Sequence, residues 1–439
     1  MLAVPPFEAL DPLLPRRAGS DRETREAVRR ILEDVLQRGD EAVGEYTRRF
    51  DGVDLLPSEW ELDATNWQGA LSRIAPVLRA ALTRSVDRVR AYHEHQREPG
   101  FTLAEADGSV VGMKVIPLDR VGLYVPGGKA SYPSSVVMNA VPALVAGVQE
   151  IVAVVPPQGV TDLVLAACAL SGVTRVFRIG GAQAVAALAY GTDTVPRVDK
   201  IVGPGNRWVA EAKRQVVGIV GIDMIAGPTE ILIIADATAR PARVAADLIA
   251  QAEHDEDAVA WCVTTDPALA EALPSALEAA LSRAPRAAIA RTALERNGLI
   301  VLVPSMREAI EVANRRAPEH LEIVADGPER VAGGIRHAGA IFLGDDTPEP
   351  VGDYLAGPSH VLPTSGTARY ASPLGVYDFV KRTSVIRYTR ARLAEDADAI
   401  IALAEAEGLY GHAEAVRIRQ AGEAAHGRRD SGAGRVLSD

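Results

Sequence analysis

Between Arg22 and Arg49 the chain is rich in charge, yet Val28, Ile31, Leu32, Val35 and Leu36 recur at helical spacing, which predicts an amphipathic helical opening. The stretch from Ala70 to Gln96 repeats that character. Beyond about Val115 the texture changes. Short β-branched runs such as VGLYVPGG, EIVAVVPP, RVFRIGG and KIVGPG alternate with Ala-rich helical stretches such as TDLVLAACALSGV and AQAVAALAYG. That alternation predicts a parallel sheet covered on both faces. A second series follows, with strands at ILIIAD, AVAWCVTT, LIVLVP, HLEIVA and AIFLGD separated by helices such as ARVAADLIAQAEH and SMREAIEVANRR.

The fold class that follows is α/β: two doubly wound, incomplete Rossmann-like parallel-sheet domains with helical N-terminal and C-terminal extensions. An arm over 1–21 precedes a domain made of 22–120 and 229–370, whose first part is helical. A second domain, 121–228, is inserted into it, with Gly227 and Pro228 punctuating the joint. A helical region over 371–426 and a polar, Gly-rich tail over 427–439, expected to be disordered, complete the chain. Because open α/β sheets bind ligands at the carboxyl ends of their strands, a cleft between the two domains is the expected site.

At 439 residues and 48% hydrophobic the chain can bury more than one core. A net charge of -11 without a Lys/Arg-rich run argues against a nucleic-acid partner. No apolar run approaches the ~20 residues that span a bilayer, so no membrane partner is expected and the protein reads as cytoplasmic. Cys168 and Cys262 sit in apolar runs without a basic neighbour, which suits buried packing rather than a disulfide or a reactive thiolate.

Gln251 and His254 lie three apart at the end of a predicted helix and would share a face there, as metal ligands or as a solvated polar end. Asp353, in the loop EPVGDYLAGPSH, and His412, in LAEAEGLYGHAEAV, could complete a zinc or manganese set, although spacing alone does not join them. Glu319 and His320 fall where a helix gives way to the strand HLEIVA, a position suited to acid/base chemistry. His360 lies in a Gly/Pro-rich loop and reads as a substrate contact or a turn residue. His93, His95, His337 and His426 are assigned nothing. Three Gly-rich strand ends could receive a dinucleotide, but none is a full fingerprint; in GPGNRW, Trp208 stands where the third glycine would be.

VGLYVPGG, GGAQAVAAL, KIVGPGN, AGPTE, DLIAQAEHD, APEHLEI, GDYLAGPSHVLPT and AEGLYGHAEAV, in that order, resemble the histidinol dehydrogenase family over nearly the whole chain. The resemblance implies two successive NAD-dependent oxidations of L-histidinol through L-histidinal to L-histidine, in histidine biosynthesis. It places Gln251, His254, Asp353 and His412 as ligands of one zinc per subunit, and Glu319 and His320 as the acid/base pair. Substrate contacts would come from Thr229, His360 and Glu407 together with Gln251, His254, His320, Asp353 and His412. NAD contacts would come from Tyr124, Gln183 and Asn206. It further implies a homodimer whose C-terminal region, with Glu407 and His412, helps to complete the neighbouring site. The rival readings are a zinc-dependent hydrolase, which needs no NAD, and an inactive binding module on the same fold, which leaves Glu319 and His320 without a task.

Overall fold

The computed structural model describes residues 2–3, 21–127 and 132–421. The expected tail, most of the N-terminal arm, His426 and part of the turn after Tyr124 lie outside them. Two compact units separate, one within Met1–Arg97 and Pro117–Val380 and the other within Glu98–Ile116 and Lys381–Asp439.

The larger unit contains both parallel sheets. The first runs in the order Arg175–Phe177, Glu150–Val154, Arg120–Tyr124, Lys200–Val202, Gly221–Ile222. The second runs Leu2–Ala3, Leu299–Leu302, Val259–Thr264, Glu230–Ala235, His320–Val324, Ala340–Leu343. In the first, the earliest strand, Arg120–Tyr124, lies centrally and the chain winds outward to both sides; in the second, Glu230–Ala235 holds that place and Leu2–Ala3 adds at one edge, so both are doubly wound. Strand Glu230–Ala235 is buried along its whole length. Its Leu232 and Ile234 enter one apolar cluster, while Ile231, Ile233 and Ala235 enter another on the opposite face. That two-sided burial is what a continuous β-branched run requires.

The N-terminal helices depart from expectation. Helix Arg22–Arg38 starts at Asp21, whose side chain accepts from Thr24 N, and stops at Gly39 with φ 55°. Its Val28, Ile31, Leu32 and Val35 pack into the same cluster as Val152, Val154 and Phe177 of the first sheet. On the other face, Val86 and Val89 of helix Pro76–Glu94 join Val121, Leu123 and Ile151. The segment expected to accompany 229–370 therefore covers the first sheet instead. The apolar stripe on a helix announces that a partner exists without naming which sheet it is.

The smaller unit corrects two further readings. Phe101–Ala104, Val110–Pro117 and Val380–Arg387 form a three-stranded sheet, so neither 22–120 nor 371–426 is helical throughout. Its helices are Arg390–Ala406 and Tyr410–Ala421.

Candidate active site

The candidate residues of the second sheet gather at the amino ends of its strands, opposite to the carboxyl ends expected. His320 opens strand His320–Val324 and Thr229 immediately precedes Glu230–Ala235. These two strands are neighbours at the point where the winding direction reverses, with His320 paired to Ile231. Ala317, held at φ 50°, ends helix Met306–Arg316 and turns the chain so that Pro318 and Glu319 lead directly into the strand. Beneath them Arg316 and Glu230 form a buried ion pair, and Ser365 N donates to Glu230 Oε1 at 2.9 Å.

Glu319 is 7% exposed, and its Oε2 accepts from Thr229 Oγ1 at 2.7 Å and from Glu230 N at 2.9 Å. Burial outweighs those bonds and pushes its pKa up to about 8. Thr229 Oγ1 accepts in turn from Gln251 Nε2 at 2.6 Å, which fixes the amide so that its Oε1 is buried without a partner. His320 Nδ1 lies 3.1 Å from the Glu230 carbonyl oxygen, which can only accept, so Nδ1 carries the hydrogen and the lone pair is on Nε2. Burial lowers the pKa of this imidazole to about 4. A neutral base therefore stands beside a protonated acid.

The Nε2 atom lies 3.5 Å from Glu349 Oε1, and His320, Glu349 and Asp353 each offer an atom within 4.8 Å of the others. His360 Nδ1 is 3.3 Å from Asp353 Oδ1. Burial works against ionisation of Asp353, but the bond from His360 and the neighbouring imidazoles prevail and hold its carboxyl down at about 2. Glu349 is driven the other way by burial and by the charge of Asp353.

Several positions differ in detail from the sequence reading. Helix Pro241–Ala252 ends before His254, so Gln251 and His254 share a turn rather than a helix face; His254 N donates to Gln251 O at 3.3 Å. Asp353 sits in a short helix, Pro350–Tyr354, rather than in a loop. Glu349, which immediately precedes that helix without a side-chain capping bond, is absent from the sequence reading; its four-residue spacing from Asp353 was the available signal. His412 and Glu407 belong to the smaller unit, both exposed, the first in helix Tyr410–Ala421 and the second capping Arg390–Ala406.

The dinucleotide candidates lie at carboxyl ends of the first sheet. Tyr124 ends strand Arg120–Tyr124, and its hydroxyl accepts from Gly181 N at 3.1 Å. Gln183 is fully buried with both amide atoms unpartnered, which suits a polar ligand. Asn206 caps helix Arg207–Gln215 through Trp208 N and Val209 N. A buried Lys213–Asp223 ion pair holds the preceding turn: Lys213 Nζ donates to Gly203 O at 2.9 Å, and Gly203 N donates to Asp223 Oδ2 at 2.8 Å. A side chain at Gly203 would strike Tyr124 O.

Residues 14–420 match the family model described as histidinol dehydrogenase. The chain belongs to the histidinol dehydrogenase family. It is 53% identical to histidinol dehydrogenase of Pseudomonas savastanoi pv. phaseolicola over 93% of this chain and 92% of that protein. It is 52% identical to that of Nitrosomonas europaea over 94% and 96%. The crystal structure of histidinol dehydrogenase from Elizabethkingia anophelis superposes with a TM-score of 0.90 at 32% identity, covering 97% of this chain and 98% of that one. A betaine aldehyde dehydrogenase from Staphylococcus aureus shares the fold alone, at 12% identity and a TM-score of 0.51 over 83% of this chain and 87% of that one. Membership makes this an NAD-dependent oxidoreductase of histidine biosynthesis acting on histidinol, and the hydrolase reading is not favoured. Both cysteines are buried, with burial pushing their thiols up to about 12, against a thiolate route. Among the described residues no helix is long and apolar enough to cross a membrane.

Proposed function

We propose that the site at the amino ends of the second sheet carries out both oxidations of L-histidinol, and that Gln251, His254, Asp353 and His412 hold one zinc ion there. The unpaired, buried Oε1 of Gln251 carries the metal reading: an amide oxygen fixed in orientation and left without a donor suits a cation. The metal would supply a Lewis-acid anchor for the substrate's imidazole and amine, and NAD, held by Tyr124, Gln183 and Asn206, would supply the hydride acceptor in each round.

The protein's own part follows from protonation. His320, neutral and with its lone pair on Nε2, takes the proton of the substrate hydroxyl as the alcohol becomes the aldehyde. Glu319 then helps water to add to the aldehyde carbonyl, donating its proton to the carbonyl oxygen or accepting one from the water. His320 acts again on the hydrate, which yields the acid. Thr229, His360 and Glu407 orient the substrate. Large apolar side chains exposed on the smaller unit, among them Leu403 and Tyr410, support a homodimer in which that unit meets a partner.

The test is NADH formation from L-histidinol by purified protein, before and after chelation and zinc return. Two NADH per histidine, lost on chelation and regained with zinc, is the expected result. Folded, zinc-replete protein that forms no NADH would sink the proposal.

A further inference from the structure

Glu319 and His320 lean on the same neighbour, but not equally deep in the sheet. His320 meets the Glu230 carbonyl inside the paired region, where Glu230 is opposite Val259 and Ile231 is opposite His320. The Glu319 carboxyl takes its bonds one step earlier, from Glu230 N and from the Thr229 hydroxyl, where the strand has only begun. Thr229 O still accepts from Val259 N at 2.9 Å, but Gly227 and Pro228 lie ahead of the strand, and Pro228 has no N–H to give to a ladder. The aim of Glu319 therefore depends on how this entry is held.

One corner of the segment that follows His360 holds it. Thr364 Oγ1 accepts from Gly227 N at 2.6 Å, and Ser365 N donates to Glu230 Oε1 at 2.9 Å, so Thr229 lies between two anchors. The approach is close, since a side chain at Gly227 would strike Ser365 Oγ. Arg316 binds the other carboxylate oxygen of Glu230, and its guanidinium lies 4.8 Å over the ring of Trp261 in the adjacent strand. A buried ion pair of this kind is poor evidence for a gain in stability, which leaves room for another task. Ala317, next to Arg316, and Ser365 are the non-glycine residues at left-handed φ among the described residues, at 50° and 56°. Such backbone strain persists only where the surroundings enforce it, and both corners flank the one carboxylate.

We infer that Thr364 and the Arg316–Glu230 pair are positioning residues for the reaction: they clamp residues 227–230 so that the Thr229 hydroxyl and the Glu230 amide aim the Glu319 carboxyl at the water that adds to the aldehyde. The inference rests on the task proposed for Glu319. Loosening the clamp costs the second oxidation, which needs that water, and spares hydride transfer between histidinol and histidinal, which does not.

The experiment supplies L-histidinal to the zinc-replete full chain and measures two values of kcat/KM, for its oxidation with NAD and for its reduction with NADH. Oxidation needs the water. Reduction runs the first step backwards, with hydride from NADH to the carbonyl carbon and a proton through His320 to the oxygen. Thr364→Val removes the acceptor of Gly227 N, and Arg316→Met combined with Glu230→Leu removes the ion pair while leaving no buried charge. Each should lower oxidation by about tenfold or more and reduction by less than about threefold. Thr364→Ser, which keeps the hydroxyl, should restore the native ratio. A merely structural role would lower both directions together, in step with the folded fraction. That parallel loss, an unchanged ratio, or a Thr364→Ser ratio no better than that of Thr364→Val would each overturn the inference; if the double variant does not fold, the two Thr364 variants decide alone. Glu319→Gln separates the levels. If it loses both directions equally, the task of Glu319 fails and the inference with it, whereas selective loss in Glu319→Gln beside parallel loss in the clamp variants rejects the clamp alone.

Discussion

His320 is surrounded by carboxyl groups and yet is poorer at holding a proton than a free histidine, because burial removes water from the charged form more effectively than Asp353 restores its stability. The two histidines of the site should therefore fail differently. His320→Asn should fold, keep metal and lose most turnover, on the order of the 10²–10⁴-fold typical of a general base. His254→Asn should lose metal, so metal content by atomic spectroscopy, measured beside rate, distinguishes them; full metal and full rate in His254→Asn would remove it from the ligand set.

The buried carboxyls also make a statement about stability. Glu319, at about 8, and Glu322, which burial and the neighbouring Asp247 push up, both ionise later in the folded chain than in the unfolded one. Their contribution is whole below the unfolded value near 4.5 and is lost as pH rises through the folded values. His320, lowered from 6.5, works in the opposite sense but only below that pH. Metal-free protein should thus melt at falling temperatures from pH 6.5 to about 9, and Glu322→Gln, which has no proton to lose, should flatten the slope. A melting temperature that rises over this range would contradict the assignment.

At the level of elements, strand runs such as ILIIA and HLEIV were legible because burial on both faces imposes continuous apolarity, and Glu319-His320 stood out as a candidate pair because it borders a strand. Strand Val380–Arg387 was not, since most of its residues are exposed and its apolar positions do not alternate. Nor could the sequence show which ends of the second sheet would be used. Helix Arg22–Arg38 illustrates the same limit: its stripe was visible and its partner was not. Its packing is measurable. Leu32 is 4% exposed against the first-sheet core, and Leu32→Ala should lower unfolding free energy by about 2–5 kcal/mol in urea titrations. A change below the error of the method would mean that the helix does not pack there.

For the whole molecule, the proposed homodimer gives the smaller unit a role that mixing can examine. If Glu407 and His412 act on the partner's site, co-folding the inactive variants His320→Asn and His412→Asn should restore one intact site in every mixed dimer. If they act within their own subunit, every site of the mixture carries a defect and none recovers. Size-exclusion chromatography with light scattering establishes the dimer itself.

The two sheets share a winding order but present their candidate residues at opposite ends, the first at its carboxyl and the second at its amino ends. A strand of five residues spans roughly 17 Å, so the carboxyl-end turns of the second sheet, such as the exposed Ala237–Thr238, stand a strand's length from Glu319 and His320. For protein engineering this is an open attachment point: a reporter or surface tether inserted there would leave the proposed catalytic end facing solution, so the molecule should tolerate immobilisation in one orientation.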